Sequence, residues 1–98
     1  MNIFEIDKVP ENEEIITILE KRDNIKIERI LSKGQTTEWM IQDKNEFVLL
    51  IQGSAIIEFE DKKIKMEKGD IVLINKGEKH RVSFTSENPY CIWLCVHF

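Results

Sequence analysis

The sequence predicts an all-β domain, either a sandwich or a barrel, on three observations. Short apolar stretches recur through the chain from position 25 onward, and in several of them apolar and polar residues alternate. Turn-forming residues interrupt these stretches near positions 53, 61, 69, 77 and 88. A turn about every 8–11 residues is typical of antiparallel sandwiches and barrels.

Seven strands follow from this pattern, each justified by its own sequence. The stretch 55–59 places Ala55, Ile57 and Phe59 on one face, and the stretch 64–66 alternates with lysines after a hairpin turn at Asp61-Lys62. The other predicted strands are continuous or nearly continuous apolar runs between turn residues. In chain order, the predicted strands are 25–31, 47–51, 55–59, 64–66, 71–74, 80–84 and 91–98.

The first 24 residues are less regular and allow two interpretations. Pro10 and the acidic residues that follow it could open a short N-terminal helix, because proline fits the first turn and acids favour a helix N-terminus. The isoleucines at positions 15, 16 and 18 could equally form a strand. We therefore predict a segment 1–24 that packs on the barrel or on a partner, and a barrel domain over 25–98.

Composition argues against several classes of function. The 98 residues carry a net charge of −4 with Lys and Glu interspersed, which disfavours nucleic acid as a partner. No apolar run approaches the roughly 20 residues of a membrane span, and the start of the chain does not resemble a signal peptide. We expect a cytoplasmic protein. Cys91 and Cys95 would lie roughly 13 Å apart on one strand, too far for a disulfide, and are expected to be small buried hydrophobes.

Three of the predicted strands, 47–51, 71–74 and 91–98, are apolar on both faces. One face of each can line the interior, but the other face also needs cover, because large exposed apolar patches are unusual on monomers. A homodimer would supply this cover. Sandwich packing with a short N-terminal covering segment is the alternative.

Strand alternation also predicts where polar side chains point. His80, Val82 and Phe84 share one face, and Glu46 would share the inward face of Val48. A carboxylate in an apolar interior costs several kcal/mol unless something neutralises it, whether a metal, a histidine, an arginine or a proton. His80 is the one candidate partner within the pattern described next.

The four glycines frame a two-part pattern. Its first half is Gly34-x5-Met40-x-Gln42-x3-Glu46-x6-Gly53, and its second half is Gly69-x5-Asn75-x-Gly77-x2-His80-x3-Phe84. This pattern resembles the paired motifs of the cupin superfamily, and the chain is similar to small single-domain cupins of the conserved-barrel type. The spacings fit, and Glu46 and His80 match the family in residue type. The chain departs from the family where Met40-Ile41-Gln42 replaces His-x-His, Asn75 replaces Pro and Phe84 replaces Asn.

The resemblance implies a cupin-type double-stranded β-helix, or jelly-roll barrel, that encloses a metal. Carried over residue by residue, the metal positions are Met40, Gln42, Glu46 and His80. An amide oxygen such as that of Gln42 can bind a hard cation, whereas the thioether of Met40 is a poor ligand for one. Such a set would suit Mn, Fe, Ni or Zn without selecting among them, and a site without metal is the alternative. Small cupins commonly pair, which also favours a homodimer.

His97 is an additional candidate ligand in the last strand, where it shares a face with Cys91, Trp93 and Cys95. If that face is interior, His97 could supply another nitrogen. Alternation cannot tell which face of a two-sided strand is inside, and a histidine near the chain end is more often exposed or packed at an interface.

The sequence therefore predicts a small-molecule pocket that binds a divalent metal through Gln42, Glu46 and His80, completed by His97 or water. Whether the protein is an enzyme stays open; an enzyme would be a metal-dependent oxygenase or an isomerase. The alternative is a metal-free binding or sensor module in which His80 and Glu46 form a buried pair. A metal-free isomerase with His80 as general base, oriented by Glu46, is a third hypothesis.

Overall fold

A computed structural model describes all 98 residues as eight strands with no helix. The strands are β1 Ile15–Lys21, β2 Lys26–Ser32, β3 Glu46–Gln52, β4 Ala55–Phe59, β5 Lys63–Met66, β6 Ile71–Ile74, β7 His80–Thr85 and β8 Cys91–His97. The all-β prediction is confirmed, and each of the seven predicted strands has its counterpart in β2 to β8. No helix that could span a membrane is present.

The prediction of a short N-terminal helix is wrong, because the isoleucines at positions 15, 16 and 18 lie in strand β1. This strand pairs antiparallel with β2, where Ile16 lies opposite Ile30 and Ile18 opposite Glu28. Branched side chains such as isoleucine lose rotamer freedom in a helix and pack well on a pleated sheet. The pairing with β2 therefore decides between the two local preferences.

The strands form two antiparallel sheets that enclose one core. The larger sheet has the order β1-β2-β8-β3-β6, and the smaller has the order β5-β4-β7. Their facing sides contribute 11 buried residues to a single cluster, which includes Leu50 and Trp93 from the larger sheet and Ile57 from the smaller. Cys91 and Cys95 belong to this cluster as free thiols, in agreement with the sequence prediction.

A bulge in β7 changes which residues of that strand point inward. Val82 lies opposite Ile57 and Phe84 opposite Ile56, so that Ser83 has no partner of its own. An extra residue of this kind reverses the alternation beyond it. Phe84 is consequently 46% exposed, and the prediction that it shares the inward face of His80 is wrong. Thr85 is buried in its place, and its hydroxyl donates to the carbonyl of Gln35 at 2.7 Å.

The N-terminal segment crosses the outer face of the larger sheet. Arg29 points to this face, and its guanidinium donates hydrogen bonds to the carbonyls of Ile3 (3.1 Å) and Glu5 (2.9 Å). Leu31 and Ile92 are neighbours on the same face, and each is only 1% exposed. The segment thus covers the part of the face formed by β2 and its neighbour β8.

Two motif glycines offer a test of how tightly the turn between β3 and β4 packs against β8. Gly53 and Gly69 have φ of +93° and +92°, where other residues are strained. A Cβ on Gly53 would lie 2.8 Å from the sulfur of Cys91 and 3.0 Å from its Cα, whereas a Cβ on Gly69 would meet nothing within 4 Å.

We expect Gly69→Ala to lower the free energy of unfolding by about 1–2 kcal/mol, the cost of the left-handed backbone. Gly53→Ala should cost about 1–3 kcal/mol more, because overpacking is added to the same backbone strain. Urea denaturation of both variants measures the difference. Equal losses would contradict the proposed clash at Gly53.

Candidate metal centre and ligand cavity

A cavity of about 220 Å³ lies between the two sheets. It is lined by every residue that the sequence nominated as a metal ligand: Met40, Gln42, Glu46, His80 and His97. The remainder of the wall is mostly apolar and includes Val48, Ile57 and Trp93. The structure thus brings the nominated residues together around one space, although they come from β3, β7, β8 and the loop before β3.

Glu46 and His97 are brought together by strand register. Glu46 is the first residue of β3 and lies directly opposite His97 of β8. Directly opposed residues on one face of a sheet have their Cβ atoms within about 5.5 Å of each other. His97 is 8% exposed and faces the cavity, so the interpretation of His97 as an exposed residue is wrong.

The ring of His80 is oriented by a backbone carbonyl. Its Nδ1 lies 2.8 Å from the carbonyl oxygen of Glu78, which can only accept, so Nδ1 carries a proton. In the neutral imidazole the other nitrogen, Nε2, then has a free lone pair. This Nε2 lies 4.0 Å from the carboxylate of Glu46, beyond hydrogen-bonding distance. Two acceptors therefore face each other across a gap.

Gln42 supplies a third free acceptor at the same cavity. The loop that carries it is held beside β7 by two backbone hydrogen bonds between Met40 and His80 (2.9 and 3.0 Å) and by a bond from Gly77 N–H to the carbonyl of Gln42 (2.9 Å). The side-chain oxygen of Gln42 is buried and has no hydrogen-bond partner. An unpaired buried acceptor costs about 1–3 kcal/mol, so this oxygen is suited to a donor or a cation in the cavity.

Glu28 is a functional candidate that the sequence reasoning missed. Its carboxylate lies 2.7 Å from Nε2 of His97, which makes this the shortest contact between ionisable groups in the cavity. Glu28 faces Cys95 across the β2–β8 pairing, which places it diagonal to His97. The available signal was alternation, since Glu28 shares a face with Ile30 in a strand that is otherwise rich in isoleucine.

Two groups at the cavity are shifted toward their protonated forms. Burial raises the pKa of Glu14 above its ordinary value of 4.5, and the negative charge of Glu28 raises it further. Burial likewise raises the pKa of the Cys95 thiol, with a further contribution from the carboxylate of Glu46. Burial and the neighbouring carboxylate thus favour the neutral thiol of Cys95, which lines the cavity wall.

The donor set fits a metal only when the amide of Gln42 is counted. No group of three or more His, Cys, Asp or Glu residues is placed to hold a metal ion. Gln42, Glu46 and His80 nevertheless provide an unpaired amide oxygen, a carboxylate and a free imidazole nitrogen around one space. The 4.0 Å gap between Glu46 and His80 is wide enough to admit an ion whose bonds to nitrogen and oxygen are each about 2 Å.

Comparison with known proteins identifies the family. The family model of the cupin domain matches residues 27–97, which is most of the chain. The chain is a member of the cupin family. The resemblance given by the glycine pattern is thereby confirmed, as is the jelly-roll fold.

Solved structures extend the comparison to whole chains. A structure from Ralstonia eutropha JMP134, provisionally assigned as a mannose-6-phosphate isomerase, is 34% identical with a TM-score of 0.93, and the match covers 99% of this chain and 94% of that one. A cupin superfamily protein from Desulfitobacterium hafniense DCB-2 is 20% identical with a TM-score of 0.82, over 93% of this chain and 82% of that one. The second likeness shows the fold alone.

A curated relative matches only in part. It is an uncharacterised HTH-type transcriptional regulator of Bacillus subtilis, YdeC, which is 31% identical over 55 residues. These residues make up 56% of this cupin but only 19% of the regulator, so the chain spans about a fifth of the relative's length.

The raised pKa of Glu14 predicts a pH-dependent penalty. The fold favours the protonated carboxyl, so the cost of ionising Glu14 appears as the pH rises through 4.5 and is complete above the raised pKa. We expect Glu14→Gln, which removes this cost, to be more stable than the parent protein at pH 7, and the advantage to disappear below pH 4.5.

Denaturation by urea at a series of pH values measures this effect, with Glu13→Gln at the exposed neighbouring position as the control for net charge. If the difference in unfolding free energy between Glu14→Gln and the parent protein does not change with pH, Glu14 ionises in the folded protein as it does in the unfolded chain.

Proposed function

We propose that this cupin binds a divalent metal ion in its cavity through Gln42, Glu46 and His80, and that a small-molecule ligand binds beside the metal. The observation that carries the proposal is the convergence of three acceptors on one space. The orphaned oxygen of Gln42, the lone pair of His80 Nε2 and the carboxylate of Glu46 border one cavity.

The charge balance of the cavity supports this assignment. Three carboxylates line it, those of Glu14, Glu28 and Glu46, and the ionisable nitrogens on its wall are those of His80 and His97. Lys26 approaches Glu28 at 3.7 Å from the rim. Because isolated charges are costly in an apolar interior, a divalent cation would offset the remaining negative charge.

In this proposal Glu28 and His97 belong to the surroundings of the metal. His97 Nε2 lies 4.0 Å from the second carboxylate oxygen of Glu46 but is engaged by Glu28 at 2.7 Å. Glu28 would fix the position of His97, as carboxylates commonly do for histidines at metal sites. The oxygen and nitrogen donors suit Mn, Fe, Ni or Zn, and such an ion, once bound, polarises an oxygen of the ligand.

The ligand would enter beside a second depression at the cavity mouth. This depression shares Gln42 and His97 with the cavity, and its wall carries two acids and four basic residues: Lys21, Arg22, Lys26 and Lys44. The basic excess favours an anionic group on the ligand. The similar Ralstonia protein is provisionally assigned as a mannose-6-phosphate isomerase, so phosphorylated hexoses are the first compounds to test.

The metal-free binding module is the second candidate, and the contact between Glu28 and His97 favours it. A 2.7 Å contact already gives one buried carboxylate a histidine partner, without any metal. The pair is not the one that the sequence suggested, since Glu46 and His80 are 4.0 Å apart. Likewise, the carbonyl of Glu78, and not Glu46, orients the His80 ring.

Metal affinity separates the two candidates. We expect the purified protein to bind one equivalent of Mn, Fe, Ni or Zn and to be stabilised by about 2.7 kcal/mol at a free metal concentration one hundred times the dissociation constant. His80→Ala and Glu46→Gln should abolish this binding because each removes a donor. Glu28→Gln should weaken it by about 10–100-fold.

Elemental analysis and thermal unfolding with added metal provide the two measurements, and Glu38→Gln, an exposed acid outside the cavity wall, is the control. If the parent protein is neither loaded nor stabilised by any of the four metals, the metal proposal fails and the metal-free module stands. If His80→Ala and Glu46→Gln both still bind one equivalent of metal, the metal site lies elsewhere.

A further inference from the structure

The wall of the cavity changes from polar to apolar along the strands of the larger sheet. At one end, strand register places His97 of β8 directly opposite Glu46 of β3 and Lys26 of β2. Four residues earlier in β8, Trp93 lies opposite Ile30, and both of these side chains line the cavity. Four residues of a strand span about 13 Å. The cavity therefore has a polar end at His97 and an apolar end at Trp93.

The smaller sheet shows the same change in the same direction. His80, at the start of β7, lies opposite Phe59, and Val82 lies opposite Ile57. His80 faces the polar end, since its Nε2 is 4.0 Å from Glu46, whereas Val82 and Ile57 add apolar side chains to the wall. We use the term apolar end for the five side chains Ile16, Ile30, Ile57, Val82 and Trp93.

The apolar end opens to solvent beside Ile16. This residue lies opposite Ile30 in the pairing of β1 with β2, and it lines the cavity although it is 52% exposed. Ile18, two residues further along the same face of β1, is 54% exposed, because the smaller sheet has three strands against five and leaves β1 uncovered. A ligand held at the polar end can therefore extend along the wall toward this opening.

Two polar residues, Thr37 and Glu14, border the apolar end. The hydroxyl of Thr37 already accepts a hydrogen bond from the backbone N–H of Val82 at 2.8 Å. Glu14 stands just before β1, and burial raises the pKa of its carboxyl. A ligand with hydroxyls along its body would find only these two partners here, and a hydroxyl that loses its hydrogen bonds to water without replacement weakens binding.

We propose that the ligand of this cavity is a small organic acid with a hydrocarbon body, whose carboxylate binds at the polar end and whose body packs against the apolar end. The inference rests on the proposed function, because it concerns the same cavity and the same ligand. Lys26 and Lys44 of the depression, together with a bound cation, supply positive charge for the carboxylate.

The size of the cavity limits the size of this acid. Its volume of about 220 Å³ equals about seven water molecules at about 30 Å³ each. Pockets for drug-sized molecules begin at about 300 Å³. The ligand is therefore a short-chain or single-ring acid.

Two six-carbon acids test the body of the ligand directly. Hexanoate and gluconate share a carboxylate and a chain of six carbons, and they differ in the hydroxyls that gluconate carries. We expect hexanoate to bind about tenfold or more tightly, because its methylenes leave water for the apolar wall. From butanoate to hexanoate the affinity should rise about fourfold per methylene. Titration calorimetry measures each acid on the metal-free and on the metal-loaded protein.

A matched pair of variants locates the binding of the body. Ile16→Thr should weaken hexanoate binding by about 3–10-fold, because it replaces part of the apolar wall with a hydroxyl. Ile18→Thr is the control, since Ile18 has nearly the same exposure on the same strand but does not line the cavity, and this variant should bind hexanoate as the parent protein does. Circular dichroism verifies that both variants are folded.

Several results would overturn the inference. Gluconate or mannose 6-phosphate that binds as tightly as hexanoate contradicts a hydrocarbon body, as does a folded Ile16→Thr variant with the parent affinity for hexanoate. Failure of every acid to bind either form of the protein overturns it as well.

The outcome is separate from that of the metal proposal, because elemental analysis measures metal independently. A protein without metal that prefers hexanoate supports this inference while the metal assignment fails. A metal-loaded protein that prefers gluconate gives the reverse result.

Discussion

The carboxylate of Glu46 is the group around which the interior of this cupin is organised. Glu46 is 7% exposed, and it stands at the start of β3 in a wall of valine and isoleucine side chains. A carboxylate in such surroundings costs several kcal/mol unless a positive charge or donors surround it. Two histidines each place a nitrogen 4.0 Å from Glu46, too far for a hydrogen bond, and the unpaired amide oxygen of Gln42 borders the same cavity.

The larger sheet serves two environments at once, and this explains its composition. Its inner face lines the core and the cavity, while its outer face is apolar both under the N-terminal segment and along β6, where Ile71 and Leu73 are exposed. In β8, Trp93, Cys95 and His97 point inward, whereas Ile92, Leu94 and Val96 point outward. A small domain buries a modest fraction of its surface, so the N-terminal segment that covers part of the outer face adds to the apolar area buried.

Strand positions and the glycine-framed motifs could be predicted from the sequence because turn residues and alternation are local signals. The same signals failed where pairing between strands decides the outcome. The bulge at Ser83 turned Phe84 outward, and the pairing of β1 with β2 overrode the helix-favouring residues before it. Alternation gave the correct set of residues sharing a face with His97 but could not say that this face is inside.

The sequence predicted the cavity residues that occupy motif positions of the family, but not the cavity residues outside the motifs. Met40, Gln42, Glu46 and His80 follow from motif spacing, whereas Glu28 and Glu14 lie outside any motif. Glu28 meets His97 only through the diagonal register of β2 and β8, which join residues 69 positions apart in sequence. Contacts at such separation leave no periodic trace in a single sequence.

The central claim is that a cation belongs between Gln42, Glu46 and His80, and anomalous X-ray diffraction from crystals grown with Mn or Zn tests it most directly. We expect one anomalous peak inside the barrel, in contact with the amide oxygen of Gln42, the carboxylate of Glu46 and Nε2 of His80. A cavity without such a peak, in which His80 donates directly to Glu46, would contradict the claim.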